Sequence, residues 1–300
     1  MMESFETWVP GKWVLAGEHT VLRGGRAIAI PHADYGLVLR FSPGESPLEI
    51  TPSEAKVVIL ELIVIAREWF TQHGAGLSVP PGVLSIESNI PLSGGFGSSA
   101  ALSVALARWF LSFTKISDLP DSHTSLECGL AKEMENRFHG RSSGMDVAVV
   151  SLGVPILFTM NGGAVSLGLE HLPRFFFFDT GIRSATKDSI EKVNAYRISN
   201  PDAANALDAE MSLAVDEALE GLERYNASYQ SQDSEGQSRA LSFIAQSMRR
   251  SHFVFLTWGL VPEETLSHFA RSPHERFAAR LTGAGDGGFI VKLVHEGSEK

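Results

Sequence analysis

Residues 91–106 read PLSGGFGSSAALSVAL. A turn of glycine and serine runs straight into a segment that is apolar almost all round. From Ser98 to Phe110 only Ser99, Ser103 and Arg108 interrupt the apolar residues, so the pattern predicts a helix buried on most sides. Glycines let a backbone approach a ligand closely, because no Cβ stands in the way. A helix start adds N–H groups without intrahelical acceptors and the positive end of the helix dipole. The stretch therefore suits an anion. It equally suits an ordinary helix start with Ser98 or Ser99 as the cap. It lacks the GK[ST] ending of a P-loop and does not satisfy G-x-G-x-x-G. Taken alone, both readings stand.

Working outward, GVLSIESNIP (residues 82–91) reads as a strand that delivers the chain to this turn. Upstream, KWVLAGEHTVL and AIAIPHADYGLVLRF read as strands. A helix is expected from Pro52 to Gln72, with Ser53 as N-cap and Leu60, Ile63 and Val64 recurring at helical spacing. Downstream, a helix is expected from Ser122 to Phe138, with Leu126, Leu130, Met134 and Phe138 on one stripe. MDVAVVSLGVPILF then reads as a strand, and RFFFFDTG as a buried strand. SATKDSIEKVNAYRI looks helical, and Asn200 with Pro201 marks the start of another helix. NASYQSQDSEGQS reads as a loop, ALSFIAQSMRRSHFVFL as a helix, and RLTGAGDGGFIVKLV as a glycine turn feeding a strand. A shift of composition near residues 160–172 suggests domains at 1–168 and 169–300.

Bulk properties narrow the function. A chain of 300 residues, 44% hydrophobic and 20% charged, is ordinary for a globular protein. Its net charge of -10 disfavours nucleic acid and anionic membrane as partners, since no basic excess exists to neutralise phosphates. A lone cysteine, Cys128, rules out an internal disulfide and a multi-cysteine metal site. The opening MMESFETWVPGK has no apolar core of a signal peptide, and VVILELIVIA is too short to span a bilayer, so a cytoplasmic location is expected.

Four further stretches hold groups suited to chemistry. In VPGKWVLAGEHTVLRGG, Lys12 follows a Pro-Gly turn, and Glu18 and His19 stand together at the next turn. As single residues these read most simply as an exposed lysine and a solvated acid. In EMENRFHGRSSGMDVAVV, Glu135 lies near a helix end, where an acid opposes the dipole. Asp146 leads into an apolar segment, and an acid there is a candidate base or metal ligand, although turns favour Asp anyway. DTGIRSATK and LTGAGDGG complete the set.

The order of these motifs, PGK with GEH, GGFGSSAA, E with SSGMD, DTG with SATK, and LTGAG, resembles the GHMP small-molecule kinases over residues 10 to 290. Within that superfamily the chain is most similar to the mevalonate kinase branch. The resemblance implies a two-domain α/β (α+β) fold, with an N-terminal domain like ribosomal protein S5 domain 2 and a ferredoxin-like C-terminal domain. It implies ATP- and Mg²⁺-dependent phosphorylation of the primary hydroxyl of mevalonate. By the same resemblance, Gly94, Gly95, Gly97, Ser98, Ser99 and Ala100 hold ATP phosphates, and Ser99 and Glu135 ligate Mg²⁺. Asp146 would receive or orient the hydroxyl proton, with Lys12 beside it and the transferred phosphoryl group. Glu18, His19, Thr186, Gly283 and Ala284 match positions near the acceptor. Only small-molecule partners are expected, on a monomer or homodimer.

Departures from the pattern are specific. Phe96 replaces a customary leucine, and Asp286 interrupts a run that is usually all glycine. A carboxylate there would repel phosphate unless it turned away or met a cation. Other members remain as alternatives. GEHTVLRGG also resembles the galactokinase stretch, but Val21 stands where the sugar-binding aspartate would be. Phosphomevalonate kinase shares PGK and AGE. A non-catalytic relative would be expected to lack Lys12, Ser99, Glu135 or Asp146, and all four are present.

Overall fold

The computed structural model describes residues 3–92, 94–114, 123–140, 142–269 and 277–294. Backbone contacts divide the chain into two compact units. The first takes residues 1–12, 31–91 and 97–153; the second takes 13–30, 92–96 and 154–300. Two long strands, β1 (Phe5–Ala16) and β2 (Arg26–Pro43), therefore contribute to both.

In the first unit, β3 (Glu49–Thr51) leads to α1 (Lys56–Gln72) and β4 (Gly82–Ser88). β4 pairs antiparallel with the end of β2, from Leu37 opposite Ser88 to Pro43 opposite Gly82, and parallel with β3. The helix starts at Lys56 rather than Pro52, after a 3₁₀ turn at Ser53–Ala55, and Ser53 gives it no side-chain cap. Its buried face is Ile59, Leu62, Ile63, Ala66, Trp69 and Phe70, while Leu60 and Val64 face solvent. VVILELIVIA is apolar on two faces, so composition alone does not choose between them.

Helix α2 (Ser98–Phe113) packs against α3 (His123–His139) and α4 (Met145–Leu152). Ala100, Ala101, Ala105 and Ala107 are fully buried, and such small side chains admit close neighbours. Val104, Leu106 and Phe110 are buried too, each contributing about 1.5–3 kcal/mol. That outweighs a missing side-chain cap, typically worth about 1 kcal/mol. Along α3, Leu130 and Met134 are buried, but Phe138 is exposed and Leu126 only half-buried. Ser122, its expected start, lies outside the described residues. The segment MDVAVVSL, expected as a strand, is helix α4, bounded by Gly144 and Gly153. Met145, Val147, Ala148, Val149 and Val150 are all buried, so the run shows neither a period of two nor one of 3.6.

In the second unit, β5 (Ile156–Thr159) pairs with the start of β2, and β6 (Gly163–Ser166) pairs with β5. A separate antiparallel sheet follows. Its strands are β7 (Phe175–Asp179), β8 (Phe277–Leu281) and β9 (Phe289–Val294), in the order β7-β9-β8. Between β7 and β8 run α5 (Thr186–Ser199), α6 (Pro201–Gln230) and α7 (Ser234–Thr257). The sequence around residues 226–238, expected as a loop, is mostly helical. Only residues 231–233 separate α6 from α7, and Asp233 caps α7 by accepting from the Gly236 N–H at 2.9 Å. The four phenylalanines of β7 are not buried together. They alternate, with Phe175 and Phe177 on Trp13 at 4.7 and 5.4 Å and Phe176 and Phe178 exposed. Asp208 on α6 binds Arg23 in a two-pronged pair and also accepts from Arg197 of α5 at 2.6 Å. Among the described residues no helix is long and apolar enough to cross a membrane.

Candidate active site

The first unit gathers an acid–base cluster. Lys12, on β1, is 4% exposed, and its Nζ lies 2.8 Å from Asp146 Oδ2. Asp146 is in the first turn of α4, where an acid is favoured by the helix dipole. It sits at a helix start rather than the strand mouth expected from sequence. Gly97, the N-cap of α2, has φ +74°, and a Cβ there would come within 2.9 Å of the Lys12 stem. Only glycine permits both that backbone angle and that stem. The Lys12 side chain thus lies over the entry to α2.

Glu135 on α3 is 1% exposed and accepts a hydrogen bond from the Ser142 hydroxyl. Ser142 is itself fixed, since its N–H donates to Asn136 Oδ1 at 2.8 Å and its hydroxyl accepts from Gly144 N–H at 3.0 Å. Burial first, and then the charge of Asp146, push the Glu135 carboxyl up to about 7, against the pull of Ser142, Lys12 and Lys132. The site has therefore brought two acids close enough to feel each other, with Lys12 and Lys132 favouring the charged form of Glu135. Ser98 and Ser99 are the first two residues of α2, both half-buried, followed by buried Ala100. Gly97, not a serine, occupies the cap position, and no side chain caps the helix.

The second unit holds the remaining candidates. Glu18 is 5% exposed and binds Arg280, itself fully buried, at 2.6 Å. Arg280 also donates to the carbonyls of Leu281 and Leu15, and its guanidinium lies 4.8 Å from the Phe255 ring. His19 is buried, and its Nε2–H donates to the Ala284 carbonyl at 2.8 Å. Its ring meets Phe255 and Trp258 edge-on, at 5.9 and 5.5 Å. Burial holds its pKa down at about 4, partly offset by the Ala284 bond and reinforced by Arg23 and Arg280, so the ring is neutral near pH 7. The Thr282 hydroxyl donates to the Val14 carbonyl at 3.0 Å and accepts from the Val14 N–H at 3.1 Å. The glycine turn after β8 is thereby pinned to the end of β1. Gly283 lies against Gly95, where a Cβ on either would press on the other backbone. Gly288 lies likewise against Gly94. Phe96 is buried on Phe289 and Phe177, at 4.3 and 5.4 Å. Thr186 is exposed at the first position of α5.

Sequence reasoning missed Arg280. An arginine inside an apolar strand, one residue before LTGAG, was the available signal, because a buried guanidinium requires an acid partner. It also missed Ser142, whose hydroxyl orients Glu135.

Comparison with known proteins points one way. The family model for the GHMP kinases N terminal domain matches residues 61–154. Mevalonate kinase from Aeropyrum pernix is 30% identical to this chain over 96% of its length and 88% of the relative's. Among solved structures, L. major mevalonate kinase in complex with R-mevalonate superposes with a TM-score of 0.70 at 23% identity, covering 97% of this chain and 87% of that one. Streptococcus pneumoniae phosphomevalonate kinase superposes with a TM-score of 0.71 at 15% identity, covering 98% and 92%. The two structures share the fold with this chain, and fold alone does not separate their substrates.

Proposed function

The chain belongs to the mevalonate kinases of the GHMP kinase family, and from that premise we propose that it transfers the terminal phosphoryl group of ATP to the primary hydroxyl of mevalonate. The product is 5-phosphomevalonate, an intermediate toward isoprenoid precursors. The observation that carries this reading is the Lys12–Asp146 pair: a buried lysine holding a partly open carboxylate 2.8 Å away. Phosphoryl transfer needs positioning and charge neutralisation more than covalent help from the protein. Asp146 accepts or orients the proton of the acceptor hydroxyl. Lys12 holds that carboxylate in place and offsets negative charge on the transferring oxygens. The turn at residues 94–97 and the first turn of α2 present backbone N–H groups to the ATP phosphates, as a glycine-led helix start does. Because α2 is buried along its length, those groups do not have to reorganise when phosphate arrives.

Ser99 and Glu135 suit Mg²⁺ as oxygen donors. Glu135 fits the ion electrostatically, since its charge is opposed by burial and by Asp146 and a divalent cation would favour it. Bound there, Mg²⁺ would neutralise charge on the phosphates. Glu18 and His19 support the acceptor side indirectly, through Arg280 and through the Ala284 carbonyl. A cytoplasmic location belongs to the same reading, supported by a single cysteine and no disulfide partner.

The test is ADP release with mevalonate, phosphomevalonate, homoserine and galactose in parallel. Robust turnover of mevalonate is expected. Turnover of phosphomevalonate or a sugar with none of mevalonate overturns the substrate assignment.

A further inference from the structure

Asp286 is the charged residue among the glycines of the β8–β9 turn. It stands between Gly285 and Gly287 and adopts φ +64°, a region that Asp and Asn enter more readily than other residues with a Cβ but less readily than glycine. A glycine would sit there without that penalty. The carboxylate must therefore supply something else. Its Oδ2 lies 2.6 Å from Nζ of Lys192 on α5, and its N–H donates to the Leu260 carbonyl at 2.6 Å. The preceding carbonyl, of Gly285, accepts from the Ser184 and Ser189 hydroxyls at 3.1 and 3.4 Å. Helix α5 and the residues leading into it thus grip the turn from one side.

On the other side the turn has no slack. A Cβ on Gly283 would lie 3.2 Å from the Gly95 Cα, and one on Gly288 would lie 3.2 Å from the Gly94 carbonyl oxygen. A shift of the turn is therefore a shift against residues 94 and 95. Beside Asp286 there is open space: a cavity of about 520 Å³ lined by Ile182, Arg183, Ser184, Glu264 and Asp286 among others. Gly287 packs on Ile182, whose carbonyl accepts from the Gly288 N–H at 2.9 Å, and the ion pair to Lys192 adds a charged tether at the Asp286 side chain beside the cavity.

We propose that Asp286 and Lys192 are positioning residues, a latch that holds residues 283–288 against Gly94 and Gly95 and so sets the nucleotide phosphate turn. The proposal rests on the kinase reading of that turn. Lys192 also cancels the charge of Asp286, so the acid adds no net repulsion beside bound phosphate. The pair is partly solvated, with the Lys192 side chain 48% exposed, and contributes little to global stability. Its effect is on geometry.

The test uses the full chain and a non-hydrolysable ATP analogue with Mg²⁺, read by calorimetric titration. Asp286→Asn keeps a residue that tolerates this backbone but removes the charge; Lys192→Met removes the partner; Lys192→Arg keeps it. The two charge-removing variants are expected to bind the analogue about three- to tenfold more weakly, as misplacement of a binding loop does. Their melting temperatures should match the parent, and Lys192→Arg should bind as the parent does. Lys56→Met, a charge change at an exposed position of α1, should change nothing. Parent-like binding by Lys192→Met, or Lys192→Arg as weak as Lys192→Met, overturns the latch. Binding needs no acceptor, so a chain that binds nucleotide but ignores mevalonate overturns the substrate assignment alone.

Discussion

Two ion pairs in this molecule look alike on paper and differ in their relation to water. Lys12–Asp146 spans 2.8 Å and Glu18–Arg280 spans 2.6 Å. The Asp146 side chain is 26% exposed, whereas Glu18 is 5% and Arg280 0% exposed. An acid whose partner is sealed but whose own face is open can receive a substrate hydroxyl. An acid sealed on every side has nothing left to receive, and its pair is architecture. Burial of a charge pair is costly, and breaking one side of it is costlier still. The first pair should therefore fail in rate, and the second in folding.

The largest expected effect is on rate. Asp146→Asn should lower kcat about 10³–10⁴-fold, in the upper range for loss of a proton-accepting group. Lys12→Met should lower it about 10²–10³-fold. The thermal unfolding midpoint of Asp146→Asn should stay near the parent's, because asparagine still accepts from Lys12. Turnover preserved in both variants would end the catalytic reading of this pair. Next is stability. Arg280→Met strands the Glu18 carboxylate in a dry interior and should cost about 3–5 kcal/mol in denaturant unfolding. If it unfolds at the parent's midpoint, the contrast between the two pairs collapses.

The smallest effect sharpens the comparison through pH. His19 is neutral in the folded chain, with a pKa of about 4 against an ordinary histidine's 6.5. The unfolded chain therefore binds the proton more readily. Stability from this group is complete above pH 6.5 and is lost as pH falls toward 4, by up to about 3 kcal/mol. His252 is shifted the same way and adds to the slope. His19→Asn, which removes the titrating imidazole, should lose less stability than the parent between pH 7 and 4.5. Equal losses would mean that His19 is not the buried neutral group described above.

The fold was legible where periodicity was sharp. GVLSIESNIP and the long apolar helix after it fell where expected, because flanking Gly, Pro and Ser bounded them. MDVAVVSL was misread because a segment buried all round shows no period. The α6–α7 junction was misread because Asn, Ser and Gln raise loop propensity, while α6 continues on the strength of its packed face at Ala218 and Leu222. In the site, glycine spacing told where backbone must come close, yet not to what. Gly95 and Gly283 are 188 positions apart by their numbers, and only the folded chain sets them face to face. The partner of Glu18 was hidden for the same reason. Asp286 was legible as an anomaly, and its cation on α5 was not.

Asp208 leaves a trace that can be sought without a laboratory. One carboxylate satisfies two guanidiniums, Arg23 and Arg197, that would otherwise repel each other in a half-buried setting. Either arginine can leave and the other keeps a one-to-one pair with Asp208, whereas the acid cannot leave while both remain. Across relatives, an acid at position 208 should thus accompany every chain that keeps both arginines.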